Sequence, residues 1–257
     1  MKHLFLIFLS SLLIFSCNQN GSVETVSLKN TNNDLEKFNL NGRVKSLRET
    51  KFLAINNFSI VEHGEKKKHL YNQEILFNLD GNKIEKNDYL TDGTLANRTM
   101  YLYQDNKLVE YNNYDPEGVP FGIGKYEYDQ DGNLKRLIDN TNDGRTNWTK
   151  TFRFDDHGNV IEMEKFKTED AIERKEIYNY DGNNNIIESD FYKKDKLIAK
   201  NNHKYDADGN IIELNYSDSN VYTFKYSYDY KGNWVKKIVF IDGNPSGILL
   251  REIEYFK

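Results

Sequence analysis

The feature that most constrains this chain is a period. An aromatic residue, an acidic or polar turn and an asparagine recur in seven registers: Phe77-Asn-Leu-Asp-Gly-Asn82, Tyr103-Gln-Asp-Asn106, Tyr128-Asp-Gln-Asp-Gly-Asn133, Phe154-Asp-Asp-His-Gly-Asn159, Tyr180-Asp-Gly-Asn-Asn-Asn185, Tyr205-Asp-Ala-Asp-Gly-Asn210 and Tyr228-Asp-Tyr-Lys-Gly-Asn233. From Asn82 to Asn233 the steps are 24, 27, 26, 26, 25 and 23 residues. A repeat of this length is one supersecondary unit that stacks on its neighbours, so it outranks any single-window reading. Leu40-Asn41-Gly42-Arg43-Val44 reads as a divergent opening copy.

Each copy reads as a β-hairpin. Phe224-Lys-Tyr226-Ser-Tyr228 alternates apolar with polar, an Asp-Gly-Asn cluster turns the chain, and Ile212-Glu-Leu214-Asn-Tyr216 alternates again. Alternation puts Tyr and Phe on one face and Lys, Glu and Asn on the other, while Gly and Asn supply the positive φ of a tight turn. Second turns such as Asp115-Pro116-Glu117-Gly118 and Asp242-Gly243-Asn244 lie between copies, so each repeat holds two strands. The expected fold is all-β: an antiparallel meander of tandem hairpins over residues 38–257, forming a long, twisted, curled or partly closed sheet. After the first segment, no stretch holds a 3.6-residue apolar period long enough for a helix.

The amino terminus is different in kind. Lys2 is followed by the apolar stretch Leu4–Phe15, whose 12 residues fall short of the ~20 a membrane-spanning helix needs. The only cysteine of the protein, Cys17, stands directly after it. Ile14-Phe15-Ser16-Cys17 resembles the lipobox of bacterial lipoproteins, which implies a signal peptide at 1–16, acylation of Cys17 and anchoring in the cell envelope, expected at the outer membrane. Phe15 is bulkier than that pattern usually holds. Residues 17–37, rich in Asn, Ser and Thr, read as a flexible tether. Its 20 residues from Asn18 could reach about 70 Å when extended.

Tyr-Asp, two variable residues, Gly-Asn and an aliphatic pair resemble the YD repeat of Rhs and teneurin-type proteins. The resemblance covers most of residues 38–257 and implies a spiralling β-sheet. It carries no activity over, because the chain ends at Phe256-Lys257 directly after a final strand, with no segment where the larger members hold a toxin.

Formal charge is −5, with Lys and Glu interspersed along the strands. That pattern lacks the basic stripe of a nucleic-acid binder. An outer-membrane barrel is disfavoured too, since strands such as Val160-Ile-Glu-Met-Glu-Lys-Phe166 place charges freely.

Candidate chemistry is sparse. Asp129-Gln-Asp131-Gly-Asn133 and Asp206-Ala-Asp208-Gly-Asn210 open like calcium loops, but position 12 falls on Asn140 and Ser217 where a bidentate Glu is needed. The turn itself explains these residues. His63 and His69 are the only histidines closely spaced, two ligands where zinc wants three or four. No Gly-x-Ser-x-Gly elbow is present, and Gly122-Ile-Gly124 lacks the rest of a dinucleotide fingerprint. No metal, cofactor or catalytic residue is therefore expected. Most aromatics should be core, with Trp148 and Trp234 the ones to inspect as ligand contacts. The resulting expectation is a non-catalytic binding or scaffold lipoprotein, anchored to membrane, with a glycan or protein partner. Its alternatives are an envelope glycan hydrolase built on paired carboxylates and an immunity-like protein of a toxin system.

Overall fold

A computed structural model describes residues 33–257 apart from positions 59, 68, 69, 169, 170, 218 and 219. Residues 1–32 lie outside the described residues, and with them the signal segment, Cys17 and most of the predicted tether. A short helix, α1 (Asp34–Lys37), precedes seventeen strands. They are β1 (Val44–Asn57), β2 (Ile60–Lys66), β3 (Asn72–Phe77), β4 (Lys83–Tyr89), β5 (Leu95–Gln104), β6 (Lys107–Tyr114), β7 (Pro120–Tyr128), β8 (Leu134–Thr141), β9 (Thr146–Phe154), β10 (Val160–Thr168), β11 (Ala171–Tyr180), β12 (Ile186–Lys193), β13 (Lys196–Tyr205), β14 (Ile211–Asn215), β15 (Val221–Tyr228), β16 (Trp234–Ile241) and β17 (Asn244–Tyr255).

From β3 to β17 every strand pairs antiparallel with the next, and β1 pairs with both β17 and β3. The sheet therefore closes into a barrel of 16 strands. This corrects the expectation of a curled or partly closed sheet. Closure satisfies the backbone groups that two free edges would leave open, which a meander of this many twisted strands gains once its first and last strands meet. The second half of β1 pairs with β2 from Phe52↔Lys66 to Asn57↔Ile60, so this hairpin extends beyond the ring at one rim.

All seven motif turns lie at the opposite rim. In the copy at Asp129, its carboxylate accepts from the backbone N–H of Asp131 (3.0 Å) and Asn133 (2.8 Å). Asp155, Asp181, Asp206 and Asp229 do the same, and Asn78 takes this place in the first copy. The copy without glycine at its fifth position uses Asn184, at φ +59°. In Tyr103-Gln-Asp-Asn106, Asp105 and Asn106 both adopt positive φ, as a two-residue hairpin turn requires. Every motif hairpin also carries a register shift beside its turn, for instance between Glu127 and Tyr128 or Ser227 and Tyr228. Such a bulge inserts one residue and changes which parity faces inward.

Tyrosines tie successive copies together. Tyr128, Tyr180, Tyr205 and Tyr226 donate to the carbonyls of Leu108 (2.8 Å), Val160 (2.6 Å), Ile186 (2.8 Å) and Ile211 (2.6 Å), the strand just after the preceding turn. Burial pushes the Tyr128 phenol up to about 12 and the others higher still, so all stay protonated donors.

Residues 33–43 cross this rim. Asn33 caps α1 by accepting from Glu36 N–H (3.1 Å), and the buried Asp34 accepts from Lys83 N–H (3.0 Å) and Tyr103 Oη (2.5 Å). Asn39 then donates to Asp208 O and Asn210 Oδ1, and Asn41 exchanges bonds with Asn233 in the last turn (2.6 and 2.9 Å). Residues 34–37, read from sequence as the end of the tether, are thus docked on the barrel. At four residues α1 is too short for a periodicity signal to reveal it.

Buried apolar side chains form four separate clusters along the ring, not one shared core. Gly124 has a steric reason: the Tyr111 ring stands 1.9 Å from where its Cβ would be. The outer wall carries cross-strand ion pairs, among them Arg136–Glu127 (2.9 Å), Arg153–Glu162 (3.1 Å), Lys200–Glu188 (2.8 Å) and Lys204–Glu213 (2.8 Å), beside exposed apolar side chains such as Met100 and Leu102. Each exposed pair adds little to stability.

Candidate functional site: the charged inner wall

Cross-strand register fixes which side chains face inward. Glu49 of β1 stands opposite Arg251 of β17, Lys51 opposite Leu249, and Leu249 opposite Lys237 of β16. Leu249, Arg251 and Lys237 are buried, as are Glu49 and Lys51, so one patch of wall holds a carboxylate among cations inside the barrel.

Arg251 Nε lies 3.2 Å from Glu49 Oε2, and its guanidinium stacks 3.4 Å from the centre of the Trp234 ring. Lys237 Nζ approaches the same ring at 4.9 Å. Gln73 Nε2 reaches the second Glu49 oxygen at 3.5 Å. Burial would push the Glu49 carboxyl up, but Arg251, Lys51 and Lys237 outweigh it and hold it below its ordinary value. The cations bear the opposite consequence. Burial lowers Lys51 and Arg251 and brings Lys237 down to about 8, each opposed by Glu49.

A second charged patch lies across the ring. On β8, Asp139 accepts from Tyr111 Oη (2.5 Å) and Asn147 Nδ2 (2.8 Å). On β11, Glu176 accepts from Tyr178 Oη (2.5 Å) and pairs with Arg174 (2.8 Å). Burial raises both carboxyls, against the nearby Lys150 and Lys165. Those two lysines flank the half-buried Trp148 at 5.2 and 5.6 Å.

Both tryptophans singled out from sequence thus line the inner wall beside cations. They stand on β9 and β16, seven strands apart in the ring, and do not share a site. The calcium-like aspartates Asp129 and Asp206 are engaged by their own turns, and backbone N–H groups, Asn133 foremost, hold the Asp129 carboxyl low. Among the described residues no three His, Cys, Asp or Glu side chains converge as metal ligands. His63 packs against Phe52, with ring centres 4.8 Å apart, and His157 sits in a turn, donating its N–H to Asp155. His69 is outside the described residues. His203 is buried with Nε2 3.3 Å from Ser189 Oγ, and burial depresses it to about 4. Among the described residues its Nδ1 has no hydrogen-bond partner, so none of their acids orients the ring as a Ser-His-Asp triad demands.

Sequence reading missed Glu49, Lys51, Lys237 and Arg251. Period-2 alternation assigned Lys and Glu to the outer face, and in Leu47-Arg-Glu49-Thr-Lys51 no apolar residue at 49 or 51 signals an inward position.

No family model matches this chain, and no curated protein matches it. Among solved structures, a porin-like protein from Bacteroides uniformis is similar over 82% of this chain and 96% of its own, with a TM-score of 0.56 at 12% identity. At that identity the likeness shows the barrel fold alone. A TcdB2-TccC3-TEV structure aligns with 78% of this chain and 13% of its own at 15% identity and a TM-score of 0.30. An outer membrane lipoprotein-sorting protein domain from Vibrio parahaemolyticus covers 86% and 90% at 9% identity and a TM-score of 0.24. Likenesses that low carry no argument, and the YD-repeat resemblance rests on its turn residues without a family match.

Proposed function

We propose that this chain is a non-catalytic, lipid-anchored binding or scaffold module of the cell envelope, tethered through Cys17, with the inner wall of the barrel as its binding face. One observation carries the reading: the inner wall buries a cluster of ionisable side chains, Glu49, Lys51, Lys237 and Arg251. Replacing a buried ion pair with well-packed apolar groups is often neutral or stabilising, so such groups need a reason other than folding. The paired outer wall suits a domain held in water beside the membrane, and the lipobox-like segment supplies the anchor.

The hydrolase alternative finds less support. Asp139 and Glu176, the two raised carboxyls, stand on β8 and β11, three strand intervals apart, or about 14 Å at ordinary strand spacing. A catalytic carboxylate pair spans roughly 5–9.5 Å.

Lipid labelling and protease shaving of intact cells making the wild type or Cys17→Ala test the anchor. Label that depends on Cys17 is the expected result, and shaving then separates a surface domain from a protected one. Unlabelled protein released in soluble form refutes the anchor.

A further inference from the structure

The charge on the β1–β16–β17 wall does not balance. Lys51 interacts with Glu49, Asp88 and Lys86, and Glu49 with Arg251, Lys51 and Lys237. Lys86 pairs with Asp88 at 2.9 Å. Lys67 joins them from the rim that the motif turns do not occupy. Its backbone N–H donates to Lys51 O (2.9 Å), and its Nζ lies 2.7 Å from where a Cβ on Gly247 would stand. Gly247 faces inward opposite Leu53, one step nearer that rim than Lys51. The missing side chain is what lets Lys67 reach in. Around Glu49 and Asp88, four cations, Lys51, Lys86, Lys237 and Arg251, thus face two carboxylates.

Buried charge needs a partner or it is expelled. Arg251 is almost wholly buried, yet its Nη1 has no hydrogen-bond partner among the described residues. A guanidinium fork with one prong engaged by Glu49 and another buried without a partner is a ready donor for an oxyanion. Lys237 fits the same picture, since burial lowers it to about 8.

We infer that this wall is a binding site for an oxyanion, a carboxylate or phosphate group of a ligand that enters past Lys67 and Gly247 and is held by Lys51, Lys237 and Arg251. The inference rests on the inner wall being the binding face and adds the ligand's charge class. A bound oxyanion supplies the missing countercharge, accepts from Arg251 Nη1, and leaves Glu49 in its place.

Isothermal titration of the full chain with sodium glucuronate, sodium phosphate and glucose, at constant ionic strength in chloride, tests it. Saturable binding of glucuronate or phosphate is expected, weakened about tenfold or more in Lys237→Met and Lys51→Met. Glucuronate binding alone identifies a carboxylate-bearing ligand, and phosphate binding alone a phosphorylated one. Both substitutions remove a buried charge and should fold, which near-ultraviolet circular dichroism checks. No saturable heat with either anion up to tens of millimolar overturns the inference, as does equal affinity in folded variants. Saturable glucose binding without anion binding overturns the oxyanion class while leaving the inner wall as a binding face.

Discussion

The rim of motif turns and the wall around Glu49 are both rich in polar side chains, yet they partner them differently. At the rim, Asp229 accepts from Lys231 N–H, Asn233 N–H and Tyr255 Oη, while Asn233 bonds both the N–H and the carbonyl of Asn41. On the wall, Arg251 keeps an open nitrogen and cations outnumber carboxylates. At the rim the polar groups find their partners within the chain, whereas on the wall the proposed oxyanion would complete them.

That contrast can be broken or sharpened by substitution. The largest expected effect is Arg251→Met alone, which leaves Glu49 buried beside lysines but without its guanidinium partner; denaturant unfolding should show a loss of about 3–5 kcal/mol. Next is Asn233→Ala at the rim, where Asn41 and the Tyr255 hydroxyl lose a buried partner, for about 2 kcal/mol. A loss under half that would mean the rim bonds are replaced by water and the contrast is overstated.

A pH dependence follows with a definite sign. Lys237 is lowered to about 8 in the folded chain against an ordinary value of 10.5, so between these values the unfolded chain holds the extra proton. Unfolding free energy should therefore rise as pH rises from 8 towards 10, and the penalty is fully present below 8. Lys237→Met should flatten that rise, as comparison of the two proteins at pH 8 and 10 would show. The smallest effect belongs to the outer wall: Arg136→Ala should cost less than about 1 kcal/mol, because its pair with Glu127 is half exposed. A greater loss would show that the outer ion pairs act as a network.

The hairpins and turns were legible because each is local. Asp129 through Asn133 shows its turn in five residues, and Phe224, Tyr226 and the strands around them keep a clean alternation. Closure was not legible, because the pairing of Leu47 with Ile253 joins positions 206 residues apart and depends on twist summed over every strand between. The inward charges escaped for a different reason. In Trp234-Val-Lys-Lys-Ile238, Lys236 and Lys237 read alike, and only the register after the Ser227/Tyr228 bulge turns Lys237 inward. Tyr111 over Gly124 was equally invisible, since it is a contact between neighbouring strands with no mark in either alone.

The most direct measurement is thermal unfolding of Glu49→Leu/Arg251→Met beside Arg251→Met and the wild type. If the wall keeps its charges for a ligand, removing both partners restores the midpoint to the wild-type value or above it, while the single variant stays well below. A double variant as unstable as Arg251→Met would contradict this, because the pair would then hold the barrel together and its charges would need no partner outside the chain.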